Sequence, residues 1–153
     1  RGKFLGIMIG YMATWTTYGT WLQGDKRGYV KDGIILEPCV KLEASNERAL
    51  KNNKRKIPKN LRNEIKEAIL NEADGIGQEV YAIVVCSNHV HIVVNCIDRS
   101  CGYSVRKFKF AATKFLRKYV YEKNVWTKGF DVRYCFNKQE LGNKIRYVQR
   151  HGD

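Results

Sequence analysis

The sequence predicts an α+β fold in which helices pack on one antiparallel sheet. Two observations predict it. Runs rich in β-branched and aromatic residues alternate with segments whose apolar residues recur at helical spacing. These segments follow the order strand, helix, hairpin, helix, strand, helix, which favours an antiparallel sheet covered by helices. A chain of 153 residues, 44% of them apolar, suits one domain spanning residues 1–153.

Four strands are expected along this order. They span residues 11–18, 80–86, 89–96 and 130–136. The short polar break between the second and third strands predicts an antiparallel hairpin. Between the first strand and the first helix, the glycine-containing stretch 21–33 is interpreted as an extended loop or a loose hairpin.

Three helices are expected between and after these strands. The first starts near residue 61, after a basic run that contains a proline, and stops at the glycines at 75 and 77. Ser104 is positioned to cap the second helix, whose outer face is basic. The third begins at a capping-box pattern over residues 137–140 and extends to about residue 151.

The charge of the chain points to a polyanionic partner. Lysine and arginine number 28 against 15 acidic residues, which gives a net charge of +13. Basic side chains that neutralise phosphates release counterions, and this favours nucleic-acid binding. A solvated, soluble surface is the alternative interpretation. The basic residues expected to contact phosphates are Lys54, Arg55, Lys56, Arg106, Lys107, Lys114, Arg117 and Lys118.

The remaining composition disfavours several other classes of protein. No stretch reaches the roughly 18 apolar residues of a membrane span, and no cleavable leader is expected. The five cysteines are odd in number and contain no C-x-x-C pair, which disfavours a zinc ribbon or a disulfide framework. We expect buried or incidental thiols in a cytoplasmic protein that does not bind membranes.

Two histidines occupy alternate positions of a predicted strand. His89 and His91 therefore project from one face of the sheet, whereas Val90 and Ile92 face the core. Two imidazoles side by side can hold one divalent metal ion. The alternative is a hydrogen-bonded pair of surface histidines.

The third histidine of the chain follows a tyrosine. His151 comes four residues after Tyr147 on the predicted last helix, so their side chains share a face. That face differs from the apolar stripe of Leu141, Ile145 and Val148. If the helix crosses the sheet, His151 completes a three-histidine metal site with Tyr147 beside it. The alternative is a histidine that interacts with the helix dipole and a tyrosine at the edge of the core.

A tyrosine beside a metal ion is suited to phosphoryl transfer. A phenol with a pKa of about 10 needs activation before it attacks phosphorus. A divalent ion withdraws charge from the scissile phosphate and orients it for in-line attack. The product is a phosphotyrosine link and a free hydroxyl, and this link can be joined to another strand end because the bond energy is retained.

Several segments, taken in order, resemble the HUH nuclease superfamily. Asn88-His-Val-His-Ile-Val-Val94 resembles its His-hydrophobic-His signature, and Ile145-Arg-Tyr-Val-Gln-Arg-His151 resembles its tyrosine helix. Residues 15–25 resemble the first strand and following loop of some members, and Trp126 resembles the approach to the tyrosine helix. The resemblance covers the chain from Met12 onward. It is strongest to the single-tyrosine transposases, which include the REP-associated and the compact insertion-sequence enzymes.

This resemblance implies a ferredoxin-like, RRM-like HUH fold and a strand-transfer enzyme. It implies that Tyr147 is the nucleophile and that His89, His91 and His151 bind Mg²⁺ or Mn²⁺. The tyrosine is then joined to the 5′ side of the cut, which leaves a 3′-hydroxyl. The implied substrate is single-stranded DNA beside a hairpin from a palindromic repeat, and the implied assembly is a homodimer or a monomer. Arg150 departs from the replication initiators of the superfamily, which favour lysine three residues after the tyrosine.

Two other functions stay open at this point. One is a non-catalytic or domesticated DNA- or RNA-binding module of the same fold. The other is a metallohydrolase that activates water instead of a tyrosine. A covalent DNA–protein adduct that requires Tyr147 separates the transposase from both.

Overall fold

Four strands form one antiparallel sheet, as the sequence predicted. The computed structural model describes residues 7–18, 29–31, 34–36, 56–119 and 125–152. The strands of the main sheet are β1 (Gly10–Thr16), β4 (Val80–Val85), β5 (His89–Asn95) and β6 (Asp131–Cys135). Their spatial order is β4–β5–β1–β6, so the first strand lies in the middle and pairs with both β5 and β6.

A second, smaller sheet consists of two short antiparallel strands. These are β2 (Tyr29–Lys31) and β3 (Ile34–Leu36). The pairing lies at the end of the stretch interpreted as a loop or loose hairpin and just beyond it. Residues 19–28 and 32–33 of that stretch lie outside the described residues.

Three helices cover the two faces of the main sheet. They are α1 (Arg62–Gly75), α2 (Cys101–Leu116) and α3 (Lys138–Arg150), and a single 3₁₀ turn precedes α1. Of the described helices, α1 and α2 pack on one face, and α3 packs on the other. The predicted α+β class is therefore confirmed, with the helices divided two to one.

The larger core lies between the sheet and the α1–α2 pair. Trp15 of β1 is 1% exposed and lies between the rings of Phe108 and Trp126, at centroid distances of 6.4 and 6.1 Å. Val90 and Ile92 of β5 are fully buried in the same core, as the alternation of the strand predicted. Burial of large aromatic side chains dominates the stability of such a core.

The smaller core lies beneath α3 and fixes that helix on the sheet. Val148 of α3 is 1% exposed and packs with Met12 of β1 and Val93 of β5. Gly10 lies beneath the same helix, where an added Cβ would be 2.6 Å from the Val94 carbonyl oxygen and 3.0 Å from Leu141 Cδ1. The apolar stripe of α3 packs on the sheet, and this packing determines which face of the helix is exposed.

The structure confirms the predicted cap of α3 but not the predicted cap of α2. Asn137 precedes α3, where its side chain accepts a hydrogen bond from Glu140 N at 2.8 Å. The predicted cap of α2 was wrong. Ser100 caps α2 by accepting from Tyr103 N at 3.1 Å, and Ser104 lies buried in the second turn of the helix. A serine one turn earlier satisfies the first free N–H groups, so the helix begins before Ser104.

Candidate active site between the sheet and the last helix

The pleat of β5 separates its histidines from its core residues. His89 and His91 emerge on the side of the sheet that α3 covers, opposite to Val90 and Ile92. His91 is 7% exposed and pairs with Thr14 of β1, whose Oγ1 lies 2.7 Å from His91 Nδ1. With Nδ1 engaged, Nε2 is the nitrogen of His91 that remains for a ligand.

His89 is oriented in a similar way by the turn that precedes it. Its Nδ1 lies 2.7 Å from Asn88 Oδ1. An amide oxygen only accepts hydrogen bonds, so Nδ1 of His89 donates and the neutral ring carries its lone pair on Nε2. That Nε2 lies 2.7 Å from Nε2 of His151. Both strand histidines therefore have Nδ1 held by a neighbouring side chain.

The end of α3 brings the third histidine to the same place. His151 is the residue at which α3 ends, and its N–H donates to Val148 O at 3.2 Å. Its ring centroid lies 4.9 Å from that of His89 and 4.4 Å from that of His91. The His89 and His91 rings are 4.8 Å apart. All three imidazoles of the chain thus meet at one point of the sheet.

Tyr147 lies beside this cluster within the same chain. Its ring centroid is 5.4 Å from that of His91 and 5.2 Å from that of His151. The side chain is 44% exposed, whereas the adjacent Val148 is buried. Tyr147 is therefore separate from the apolar stripe of α3, as its spacing predicted, and its side chain is exposed at the surface.

The electrostatics of the cluster favour a neutral imidazole at His91. Burial first, and then the nearby His89 and His151, together lower the pKa of His91 to about 4, while Asp131 opposes the shift. A neutral ring at physiological pH offers a lone pair to a metal ion. Asp131 lies opposite Thr14 on β6 and accepts a hydrogen bond from Arg133 Nε at 2.9 Å.

These donors fit a divalent metal ion. Three imidazoles converge, the protonation of His91 is disfavoured, and the rings of His89 and His91 are oriented through Nδ1. Imidazole nitrogens bind divalent transition ions well, and an orienting partner on the second ring nitrogen is the usual arrangement around such ions. The ligand nitrogens of His89 and His151, 2.7 Å apart, can therefore share a divalent ion, and the ring of His91 lies beside them.

Cys86 is a residue of this site that the sequence analysis missed. It is fully buried, and its Sγ, together with ligand nitrogens of His89 and His151, belongs to a group whose atoms all lie within 4.8 Å of one another. The available signal was the Cys-x-x-His spacing across the predicted two-residue turn. Residues 86 and 89 face each other across that turn, because Cys86 N donates to His89 O at 2.8 Å.

Among the described basic residues predicted to bind DNA, those on α2 do not lie at this site. Those on α2 are exposed, but α2 packs on the face of the sheet opposite to the histidines. Lys56 is exposed, and residues 54 and 55 lie outside the described residues. Arg146 and Arg150, which were not among the predicted DNA contacts, are exposed on α3 close to Tyr147 in the chain.

The fold is the one found in transposases of known structure. A structure of a REP-associated tyrosine transposase bound to a REP hairpin matches with a TM-score of 0.54 and 14% identity, over 97% of this chain and 69% of that one. A candidate transposase from Deinococcus radiodurans R1 matches with a TM-score of 0.50 and 14% identity, over 100% of this chain and 98% of that one. At this identity the likeness establishes the architecture.

The family follows from the sequence itself. The model of the IS200-like transposases matches residues 49–151, a span that contains all three histidines and Tyr147. The chain belongs to this family of single-tyrosine transposases and thus to the enzymes of DNA transposition. The match starts after β1, so it covers less of the chain than the resemblance from Met12 onward. No curated protein matches the sequence significantly. Within the described residues, no helix has the length and apolar character needed to cross a membrane.

Proposed function

We propose that this chain cuts and rejoins single-stranded DNA through a covalent bond between Tyr147 and a 5′ phosphate. The observation that carries the proposal is the proximity of the Tyr147 ring to the rings of His91 and His151, at 5.4 and 5.2 Å. Family membership supports a DNA-cleaving enzyme. A tyrosine that served only for packing would have no reason to lie 44% exposed beside three imidazoles.

In this proposal His89, His91 and His151 bind Mg²⁺ or Mn²⁺, and Mn²⁺ suits three nitrogen donors better. When bound, the ion withdraws charge from the scissile phosphate and orients it for in-line attack. Thr14 and Asn88 hold the Nδ1 atoms of two of these histidines, which leaves Nε2 as the ligand atom of each.

The proposed chemical step is a displacement at phosphorus. The Tyr147 oxygen forms a bond to phosphorus and loses its proton to solvent, and the bond between phosphorus and the 3′ oxygen breaks. The leaving oxygen takes up a proton and becomes a 3′-hydroxyl. In the reverse direction, a 3′-hydroxyl of another strand attacks the phosphotyrosine and releases Tyr147, so strands are exchanged without an external energy source.

The proposed substrate is single-stranded DNA next to a hairpin. One support is the similar structure described as bound to a REP hairpin. Another is the presence of exposed basic residues on both faces of the sheet, in α2 and in α3. Arginines next to Tyr147 would bind the strand at the scissile phosphate. The basic face of α2 would bind phosphates that are distant from the cut. Because Tyr147 and the histidines come from one chain, the chemistry does not require a dimer.

The test uses the polarity of the cut. Oligonucleotides carrying a hairpin and single-stranded flanks are labelled at either the 3′ or the 5′ end, incubated with the protein and Mn²⁺, and separated on a denaturing gel. The 3′ label should migrate with the protein, and the 5′ label should appear in a shortened free fragment. Tyr147→Phe should abolish both products. Tyr119→Phe, a change at an exposed tyrosine just beyond α2, is the matched control and should retain them.

The alternative functions predict different products and different binding behaviour. Salt-sensitive binding without any adduct would indicate a non-catalytic binding module. Cleavage that survives Tyr147→Phe would indicate a metallohydrolase that uses water. A protein adduct formed by the 5′-labelled fragment would contradict the proposed polarity.

A further inference from the structure

We propose that Cys86 is a sulfur ligand, and that with His89 and His151 it gives this site a second mode of binding for thiophilic ions such as Zn²⁺ or Co²⁺. The proposal shares two residues with the proposed active site but does not require the proposed reaction. It adds a ligand and a class of ion that differ from the three-histidine set.

The hairpin places the thiol and the imidazole on one face of the sheet. Cys86 directly follows β4 and His89 opens β5, with Ser87 and Asn88 as the turn between them. The Cys86 N–H donates to His89 O at 2.8 Å, so the two residues face each other. Side chains of residues that pair directly across an antiparallel ladder leave on the same side.

The third donor arrives from a distant part of the chain. His151 ends α3, and its Nε2 lies 2.7 Å from that of His89. The sulfur and the two ligand nitrogens all lie within 4.8 Å of one another. In a tetrahedral site with bonds of about 2.3 Å to sulfur and about 2.0–2.1 Å to nitrogen, the two nitrogens would move slightly apart from their present 2.7 Å, and the sulfur would lie well within the 4.8 Å limit of both.

The chemistry of this set differs from that of the three histidines. Thiolate sulfur selects soft or borderline ions and disfavours Mg²⁺ and Mn²⁺. On binding, the thiol forms a sulfur–metal bond and releases its proton to solvent. Cys86 is fully buried, whereas Tyr147 is exposed. The sulfur therefore adds a donor on the buried side of the histidine cluster.

The two sets cannot be filled at once, because both use His89 and His151. An ion held through Cys86 would exclude Mn²⁺ from the three-histidine set. We therefore expect Zn²⁺ to compete with Mn²⁺ for the protein and to inhibit any reaction that depends on Mn²⁺.

The test is the absorption spectrum of the full chain titrated with Co²⁺. A cobalt–thiolate bond gives a sulfur-to-metal charge-transfer band in the near ultraviolet, in addition to the visible bands of bound Co²⁺. The wild-type chain should show both. Cys86→Ser should lose the charge-transfer band, and Cys96→Ser, which changes a half-buried thiol at the end of β5, should keep it. Cys86→Ala provides a second variant if serine disturbs the buried position.

A competition experiment measures how much Cys86 contributes to the affinity for each metal ion. With a chromophoric chelator, Cys86→Ser should weaken Zn²⁺ binding by at least about tenfold, because loss of a direct ligand should cost no less than the roughly tenfold loss seen when only an outer partner of a ligand is removed. Mn²⁺ affinity should stay within about twofold, since the three-histidine set is intact. Visible Co²⁺ bands without the charge-transfer band in wild type, no Co²⁺ binding at all, or a band that persists without Cys86 would each overturn the proposal. None of these outcomes depends on Tyr147, so Tyr147→Phe should keep the band even if DNA cleavage is lost.

Discussion

Thr14 Oγ1 lies 2.7 Å from Nδ1 of His91, and this contact crosses the pairing between β1 and β5. The two residues are 77 positions apart, so only the register of the sheet brings them together. Thr14 also lies opposite Asp131 on its other side, in the pairing with β6. His91, Thr14 and Asp131 therefore form one row across β5, β1 and β6, and His91 is the most buried of the three histidines.

Replacing Thr14 with valine tests whether this hydrogen bond orients His91. Valine retains the shape and branching of threonine but removes the oxygen. We expect Thr14→Val to weaken Mn²⁺ binding by about 10- to 100-fold, as is usual when an outer partner of a ligand is lost, and Thr14→Ser to restore most of it. Mn²⁺ affinity measured by paramagnetic resonance checks this. The nitrogen spectrum of His91 should show one tautomer in wild type and a mixture in Thr14→Val. An unchanged affinity and tautomer would mean that the contact is incidental.

Local periodicity explains why much of the site could be predicted from the sequence. Alternation along the strand predicted that His89 and His91 share one face of the sheet. Helical spacing predicted that Tyr147 and His151 share one face of the last helix. The apolar stripe of α3 then predicted which face of that helix would be turned toward the sheet. Each of these inferences depends on residues at most seven positions apart, where backbone geometry alone fixes the direction of a side chain.

The features that were missed depend on contacts between distant segments or on competing local signals. Thr14 reaches His91 through strand register, which the sequence of either strand does not specify. The basic face of α2 was recognised, but its position opposite the histidines follows from the packing of α2 against α1. The sequence pattern favoured Ser104 as the cap of α2, but Ser100 supplies the same chemistry one turn earlier.

Gly10 should be a position where a methyl group is not tolerated. An added Cβ would lie 2.6 Å from the Val94 carbonyl oxygen, a backbone atom that cannot move aside without disturbing the β1–β5 pairing. We expect Gly10→Ala to lower the free energy of unfolding by about 1–3 kcal/mol, the usual cost of overpacking. Urea denaturation measures this difference. Gly75→Ala is the control, because nothing lies within 4 Å of its added Cβ, and it should be neutral or slightly stabilising. Equal losses in the two variants would contradict the packing argument.

Arg150 should contribute to binding of the DNA strand at the tyrosine. It is exposed and follows Tyr147 by three residues, so the two side chains share a face of α3. We expect Arg150→Gln to weaken binding of single-stranded DNA and to reduce the salt dependence of log K by about 0.7, the value for one lost phosphate contact. Lys138→Gln removes the same charge at the opposite end of α3 and should change the slope less. Fluorescence anisotropy at several salt concentrations distinguishes the two, and identical slopes would contradict a local role for Arg150.

Metal binding should be visible in the stability of the protein without any DNA. An ion that binds only the folded chain adds about 2.7 kcal/mol at a concentration one hundred times its Kd. For a domain of this size, each kcal/mol shifts Tm by about 2–4 °C, so saturating Mn²⁺ should raise Tm by about 5–10 °C and a chelator should reverse the rise.

His151→Ala should remove most of the shift, because its ring contributes one of the converging imidazoles and connects α3 to the sheet histidines. Tyr147→Phe should keep it, because the phenol lies beside the cluster and the proposed ligands are the imidazoles. Calorimetric scans of the three proteins with and without Mn²⁺ give the comparison. If His151→Ala shifted as much as wild type, the three rings would be a hydrogen-bonded histidine cluster and not a set of metal ligands.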